Sequence, residues 1–179
     1  MPGQRNVYLI GPMGSGKTAV GRRLAALLGR PFLDSDAEIE KRTGVDIRYI
    51  FEKEGEARFR QREREVIAEL TALDGVVVAT GGGVVLDPAN RERLAETGIV
   101  VYLETTIDTL VRRTKAAKTR PLLMNDDPQA VLERMMIVRR PLYEDAADLR
   151  IETTGRQVRA VAADIQQRLE HRVAKLSPT

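Results

Sequence analysis

The chain has 179 residues, of which 42% are apolar, 31% charged and none cysteine. A domain of this length buries about 70% of its unfolded surface, so it needs no disulfide framework, and without thiols it can have none, nor a thiolate metal site. Lys plus Arg total 29 against 26 for Asp plus Glu, and aromatics are 4%, which speaks against the basic stripe and aromatic platforms of a dedicated nucleic-acid binder.

Residues 7–10 form the first of five short apolar runs; the others are 31–33, 76–79, 99–103 and 149–151. They are near-continuous rather than alternating, the pattern of parallel strands buried on both faces. The first is too short for a secretory signal, and none approaches the ~20 residues that span a membrane. A cytoplasmic protein with no membrane partner is expected.

After the first run comes Gly11-Pro12-Met13-Gly14-Ser15-Gly16-Lys17-Thr18. It matches GxxxxGK[ST], a pattern that shuffling this composition produces about 0.3% of the time. Glycines let the backbone wrap a phosphate, and the N–H groups and following helix N-terminus supply positive potential. Lys17 is placed to reach the β- and γ-phosphates and Thr18 to ligate Mg²⁺. Val20, Leu24, Leu27 and Leu28 then share one helical face.

Asp34 and Asp36 close the second run. In an extended segment two such residues point the same way, and ligands of open parallel sheets bind at the carboxyl ends of strands. One carboxylate is suited to support Mg²⁺ through water and the other to hold an acceptor hydroxyl. Ser35 or Asp36 also suits capping of a helix over 37–42. Residues 36–73 read as a helical excursion without a strand, interrupted by Gly44 and Gly55 and carrying Arg58 and Arg60. Thr80-Gly81-Gly82-Gly83 follows the third run, with amides expected to stay open to a ligand.

Asp87-Pro88 starts a helix over 89–96 that Gly98 stops, and Asp127-Pro128 starts one over 130–139 that Arg139-Arg140-Pro141 ends. Between them residues 114–126 are polar and cationic, with Arg120 before Pro121, which reads as a mobile lid. Val158, Val161, Ala162, Ile165 and Leu169 mark the last helix. The sum is an α/β fold, a three-layer P-loop kinase arrangement with a central, mainly parallel five-stranded sheet and helices on both faces. It is read as a single domain over 1–179, with the helical excursion at about 36–73 and the lid at about 113–127.

Taken together, residues 11–18, Asp34-x-Asp36, Gly55-Glu56-Ala57-Arg58-Phe59-Arg60-x-x-Glu63, Thr80-Gly81-Gly82-Gly83, Lys118-Thr119-Arg120-Pro121-Leu122-Leu123 and Arg139-x-Pro141-Leu142-Tyr143 closely resemble the shikimate kinase family, over about 7–165. The resemblance implies transfer of the γ-phosphoryl of ATP to the 3-hydroxyl of shikimate, in aromatic amino-acid biosynthesis by way of chorismate. It implies Asp36 as candidate base, with Lys17 and Arg120 as the other catalytic groups. Arg60 and Arg139 would clamp the shikimate carboxylate, and Gly81, Gly82 and Gly83 would line the acceptor pocket. Gly14, Ser15, Gly16, Lys17, Thr18, Ala19, Arg113, Arg120 and, more weakly, Arg156 would bind ATP. Thr18 and Asp34 would serve Mg²⁺, and Glu63 would orient Arg60. The lid departs from the family pattern at Lys115-Ala116-Ala117-Lys118, where relatives often carry an Arg-Asp pair before the Lys. A monomer is expected. Two other readings stay open: another small-molecule kinase, such as a gluconate kinase, and a non-catalytic nucleotide-binding module.

Overall fold

The computed structural model describes residues 4–116 and 127–176. Arg120 and most of the expected lid lie outside the described residues. In chain order the elements are β1 (Asn6–Ile10), α1 (Lys17–Leu28), β2 (Phe32–Asp34), α2 (Ser35–Thr43), α3 (Ile47–Thr71), β3 (Val77–Ala79), a 3-10 turn (Val84–Leu86), α4 (Pro88–Thr97), β4 (Gly98–Glu104), α5 (Ile107–Ala116), α6 (Pro128–Ala146), β5 (Leu149–Glu152) and α7 (Val158–Leu176).

The five strands form one parallel sheet in the order β2-β3-β1-β4-β5. Successive side chains of a strand point to opposite faces, and both faces here are covered. Tyr8 and Ile10 of β1 pack with Val78, Val100 and Tyr102 beneath α3, α4 and α6. Val7 and Leu9 pack with Val77, Val101 and Leu103 beneath α1 and α7. Burial on both sides of β1, β3 and β4 is why those strands read as unbroken apolar runs; the edge strands β2 and β5 are only partly buried, and Arg150 in β5 is exposed. β1 sits at the centre, with β3 on one side and β4 on the other. A crevice therefore opens at the carboxyl ends of the strands where the winding direction reverses.

Four local expectations are corrected. The cap of α2 is Asp34, whose Oδ1 accepts from the amides of Asp36 and Ala37. Ser35 instead is buried and accepts from the Gly81 amide at 3.0 Å, so that amide is not open to a ligand. Asp36 consequently lies in the first turn of a helix, not in extended chain, and the alternation argument for Asp34 and Asp36 does not apply. Finally, Pro141 does not end its helix: α6 continues to Ala146. The missing N–H would have met the carbonyl of Ile137, a residue 75% exposed, and the turns beyond are anchored by Tyr143, which is fully buried.

Candidate active site

The segment 11–18 wraps between β1 and α1. Gly14 and Gly16 have positive φ (82° and 94°), a conformation that L side chains rarely adopt. No side chain caps α1, so its first-turn N–H groups face the loop, the arrangement that receives an anion. The Lys17 ammonium donates to the Gly11 and Pro12 carbonyls at 2.6 and 2.9 Å. The Thr18 hydroxyl donates to Asp34 Oδ2 at 2.8 Å, which brings the two oxygen ligands foreseen for a hard cation side by side. Among the described residues no group of three or more His, Cys, Asp or Glu could hold a metal on its own. Arg113, from α5, donates to the Gly14 carbonyl at 2.9 Å.

A cleft of about 680 Å³ begins at this loop and runs under α2 and α3 to the turn after β3. It brings together Gly14, Gly16, Lys17, Thr18, Ala19, Asp34, Asp36, Arg60, Gly81, Gly82, Gly83, Arg113 and Arg139. Ser15 lies beside it, its hydroxyl buried without a hydrogen-bond partner. Arg156 is not brought in. It donates to the Glu152 carbonyl and pairs with Asp164 of α7 at 3.0 Å, outside the lining of the cleft.

The end of the cleft away from the phosphate loop is a cage of opposed charges. Arg60 Nη1 donates to Glu63 Oε1 at 2.9 Å, three residues along the same helix, and Nη2 to Glu56 at 3.3 Å. Glu63 is 1% exposed and Arg139 7%. The Oδ1 of Asp36 and the Oε2 of Glu63 are both buried with no hydrogen-bond partner. Burial, more than the neighbouring charges of Glu63 and Asp34, pushes the Asp36 carboxyl up to about 7, with Lys17 and Arg60 pulling the other way. Burial likewise raises Glu63 against the pull of Arg60 and Arg139. The two carboxyls and the buried Arg139, with the partly buried Arg60 beside them, repay their desolvation only through hydrogen bonds to one another or to a ligand. Tyr143 completes the cage from behind. Its hydroxyl donates to the Gly82 carbonyl, its ring stacks on Tyr102 at 5.0 Å, and burial raises its pKa.

The sequence reading missed the apolar wall. Ile47, Phe51 and Phe59 line the cleft, the two rings 4.8 Å apart. Ile47 and Phe51 are four apart on one helical face, and that spacing was available in the sequence. The interruption read at Gly55 is there as a kink (φ 81°, ψ 168°), but that it brings Phe59 against Phe51 was not readable along the chain.

Comparison with known proteins follows the same lines. The shikimate kinase family model matches residues 13–170. A shikimate kinase of Halorhodospira halophila is 55% identical over 164 residues, covering 92% of this chain and 93% of its own length. The solved shikimate kinase from Acinetobacter baumannii, in complex with shikimate, superposes with a TM-score of 0.92 at 49% identity, covering 97% of this chain and 96% of that one. A gluconokinase from Sinorhizobium meliloti reaches a TM-score of 0.59 at 17% identity, a likeness of fold alone.

Proposed function

Because this chain belongs to the shikimate kinase family, we propose that it transfers the γ-phosphoryl group of ATP to the 3-hydroxyl of shikimate, giving shikimate 3-phosphate and ADP. The chain is a kinase. The observation that carries the acceptor is the convergence of two guanidinium groups, the partly buried Arg60 and the buried Arg139, with the buried carboxyl of Asp36 in one cleft with the phosphate loop. A small carboxylate that also bears hydroxyls matches that set. Guanidinium binds carboxylate bidentately, and Asp36 accepts from the hydroxyl that is to be phosphorylated.

Phosphoryl transfer is chiefly positioning and charge stabilisation. The phosphate-loop amides and the α1 N-terminus hold the β- and γ-phosphates. Lys17 gives up the Gly11 and Pro12 carbonyls to reach them. Arg60 and Arg139 fix the acceptor carboxylate, so the hydroxyl at Asp36 stays in line with the γ-phosphorus. Asp36 takes the hydroxyl proton as the new P–O bond forms. Its raised pKa keeps it a competent base near neutral pH. The apolar wall of Phe51 and Phe59 keeps water from competing as acceptor. Thr18 and Asp34 fit Mg²⁺, a hard cation that keeps most of its waters and takes one or two protein oxygens plus phosphates. When bound it neutralises charge on the β- and γ-oxygens. Arg113 lies where it can cover the base of the nucleotide. No helix among the described residues is long and apolar enough to cross a membrane. Both subsites come from one chain, which supports a working monomer, and the need for ATP supports a cytoplasmic location.

The test is ADP release from ATP and Mg²⁺ with shikimate or gluconate as acceptor. Strong release with shikimate and little with gluconate is expected. Release that prefers gluconate, or none with shikimate while ATP binds, overturns the assignment.

A further inference from the structure

The three glycines after β3 raise a question that backbone geometry leaves open. None of Gly81, Gly82 and Gly83 has a positive φ; Gly83 sits at φ −98°, ψ 8°, the bridge region that non-glycine residues also adopt in type I turns. Glycine is therefore not required there by the chain's own conformation. What surrounds each α-carbon is. A Cβ on Gly83 would lie 2.6 Å from Cζ of Arg60, and nearer still to both terminal nitrogens. The guanidinium thus occupies the space that a side chain at 83 would fill. Gly81 makes room in the same way for Asp36 Oδ1 (2.7 Å) and Glu63 Oε2 (2.8 Å).

We propose that Gly83 is a positioning residue for the acceptor: its missing side chain is the seat in which the Arg60 guanidinium is held for the substrate carboxylate. This deepens the kinase reading and rests on it for the identity of the substrate. Three other contacts fix Arg60 in that seat. Glu63 and Glu56 accept from its two ends, and its Cζ stands 5.1 Å from the centroid of the Phe59 ring, within cation–π range. The seat holds the guanidinium from the side of residue 83, and a methyl group there must push the cation off its line toward the cleft. The turn itself is stiff, since Gly81 is tied to Ser35 and Gly82 to Tyr143; Arg60 yields rather than the backbone.

The test is steady-state kinetics of Gly83→Ala, Arg60→Ala and the double variant, with ATP and shikimate varied separately. Because the clash is with the end of a flexible side chain, Gly83→Ala is expected to fold, to raise the shikimate KM at least tenfold and to leave the ATP KM within twofold. In the Arg60→Ala background the same change is expected to alter the shikimate KM by less than twofold, since there is no longer a guanidinium to displace. A full effect of Gly83→Ala in that background overturns the proposal, as does an unchanged shikimate KM in the single variant. If Gly83→Ala alone fails to fold, recovery of folding in the double variant supports the seat, and failure to recover overturns it. A crystal structure of Gly83→Ala gives a readout that needs no substrate: a guanidinium still in place over residue 83 contradicts the proposal even if the parent enzyme proves to use another acceptor, whereas a parent inactive on shikimate with a displaced Arg60 in the variant leaves the seat standing and removes the substrate assignment.

Discussion

The two ends of the cleft are built by different means. The donor end is made of backbone: eight consecutive residues, three glycines with positive φ and an uncapped helix N-terminus. The acceptor end is made of side chains carried by α2, α3, α6 and the turn after β3. Backbone amides cost little to keep in place, because the fold fixes them. Buried ionised side chains are a standing cost when no ligand is bound, visible in the unpartnered oxygens of Asp36 and Glu63 and in the upward push on both their pKa values. The donor end is thus generic and undemanding, whereas the acceptor end holds its specificity at the expense of stability.

The separation can be broken from either side. Lys17→Ala is expected to have the largest effect, a fall in kcat of about 10²–10³, the usual loss when one preorganised charge is removed from a transition state. Rapid-quench kinetics checks it. Arg139→Ala is expected to raise the shikimate KM by roughly 10- to 100-fold, from the loss of a charged hydrogen-bonding partner worth about 1.5–3 kcal/mol. The ATP KM, measured in the same assays, is expected to stay put; an equal rise in both would dissolve the division between the two ends.

How far each end was legible follows from the same contrast. The donor end is contiguous, so Gly11 through Thr18 declared it, and the strand before and helix after followed from apolar periodicity. The acceptor end depends on topology. Arg60 and Arg139 are 79 positions apart in a chain with 23 arginines, and nothing in local chemistry distinguishes them from surface residues. Family resemblance picked them out; spacing did not. Ser35 shows the limit clearly. Its hydroxyl looked like a helix cap, but the Gly81 amide, in the turn after β3, claims it, while Asp34 one residue earlier takes the cap. Competition between local and long-range partners for one hydroxyl cannot be read along the chain. The continuation of α6 past Pro141 is similar, because the packing of Tyr143 outweighs a local break signal.

Acidity sharpens the comparison further. Asp36 in the free enzyme has its pKa raised to about 7, so kcat/KM for shikimate is expected to fall about tenfold per pH unit below that point and level off above it. Glu63→Gln removes a negative charge that raises Asp36, and the midpoint is expected to move down in pH-rate profiles. Stability carries the opposite sign. Between about pH 4 and pH 7 the folded protein holds a proton on Asp36 that the unfolded chain has released, so the contribution of this group to stability declines as pH rises through that window. Asp36→Asn is therefore expected to raise the melting temperature of the ligand-free protein at pH 8, by a few degrees in a thermal scan. The smallest effect is expected from Tyr143→Phe. It removes the hydrogen bond to the Gly82 carbonyl, worth about 1 kcal/mol of stability, and a fall of a few degrees in the melting temperature, read in a thermal scan, is expected.

In the proposed reaction Asp36 is where the two ends meet, because the proton must leave the acceptor as the phosphoryl group leaves the donor. The most direct test is the single-turnover rate of Asp36→Asn with saturating ATP, Mg²⁺ and shikimate, alongside its ATP affinity. The predicted result is a rate at least about 100-fold below the parent with ATP binding unchanged. A near-normal rate would contradict the account, since the proton would then be leaving by a route that does not involve Asp36.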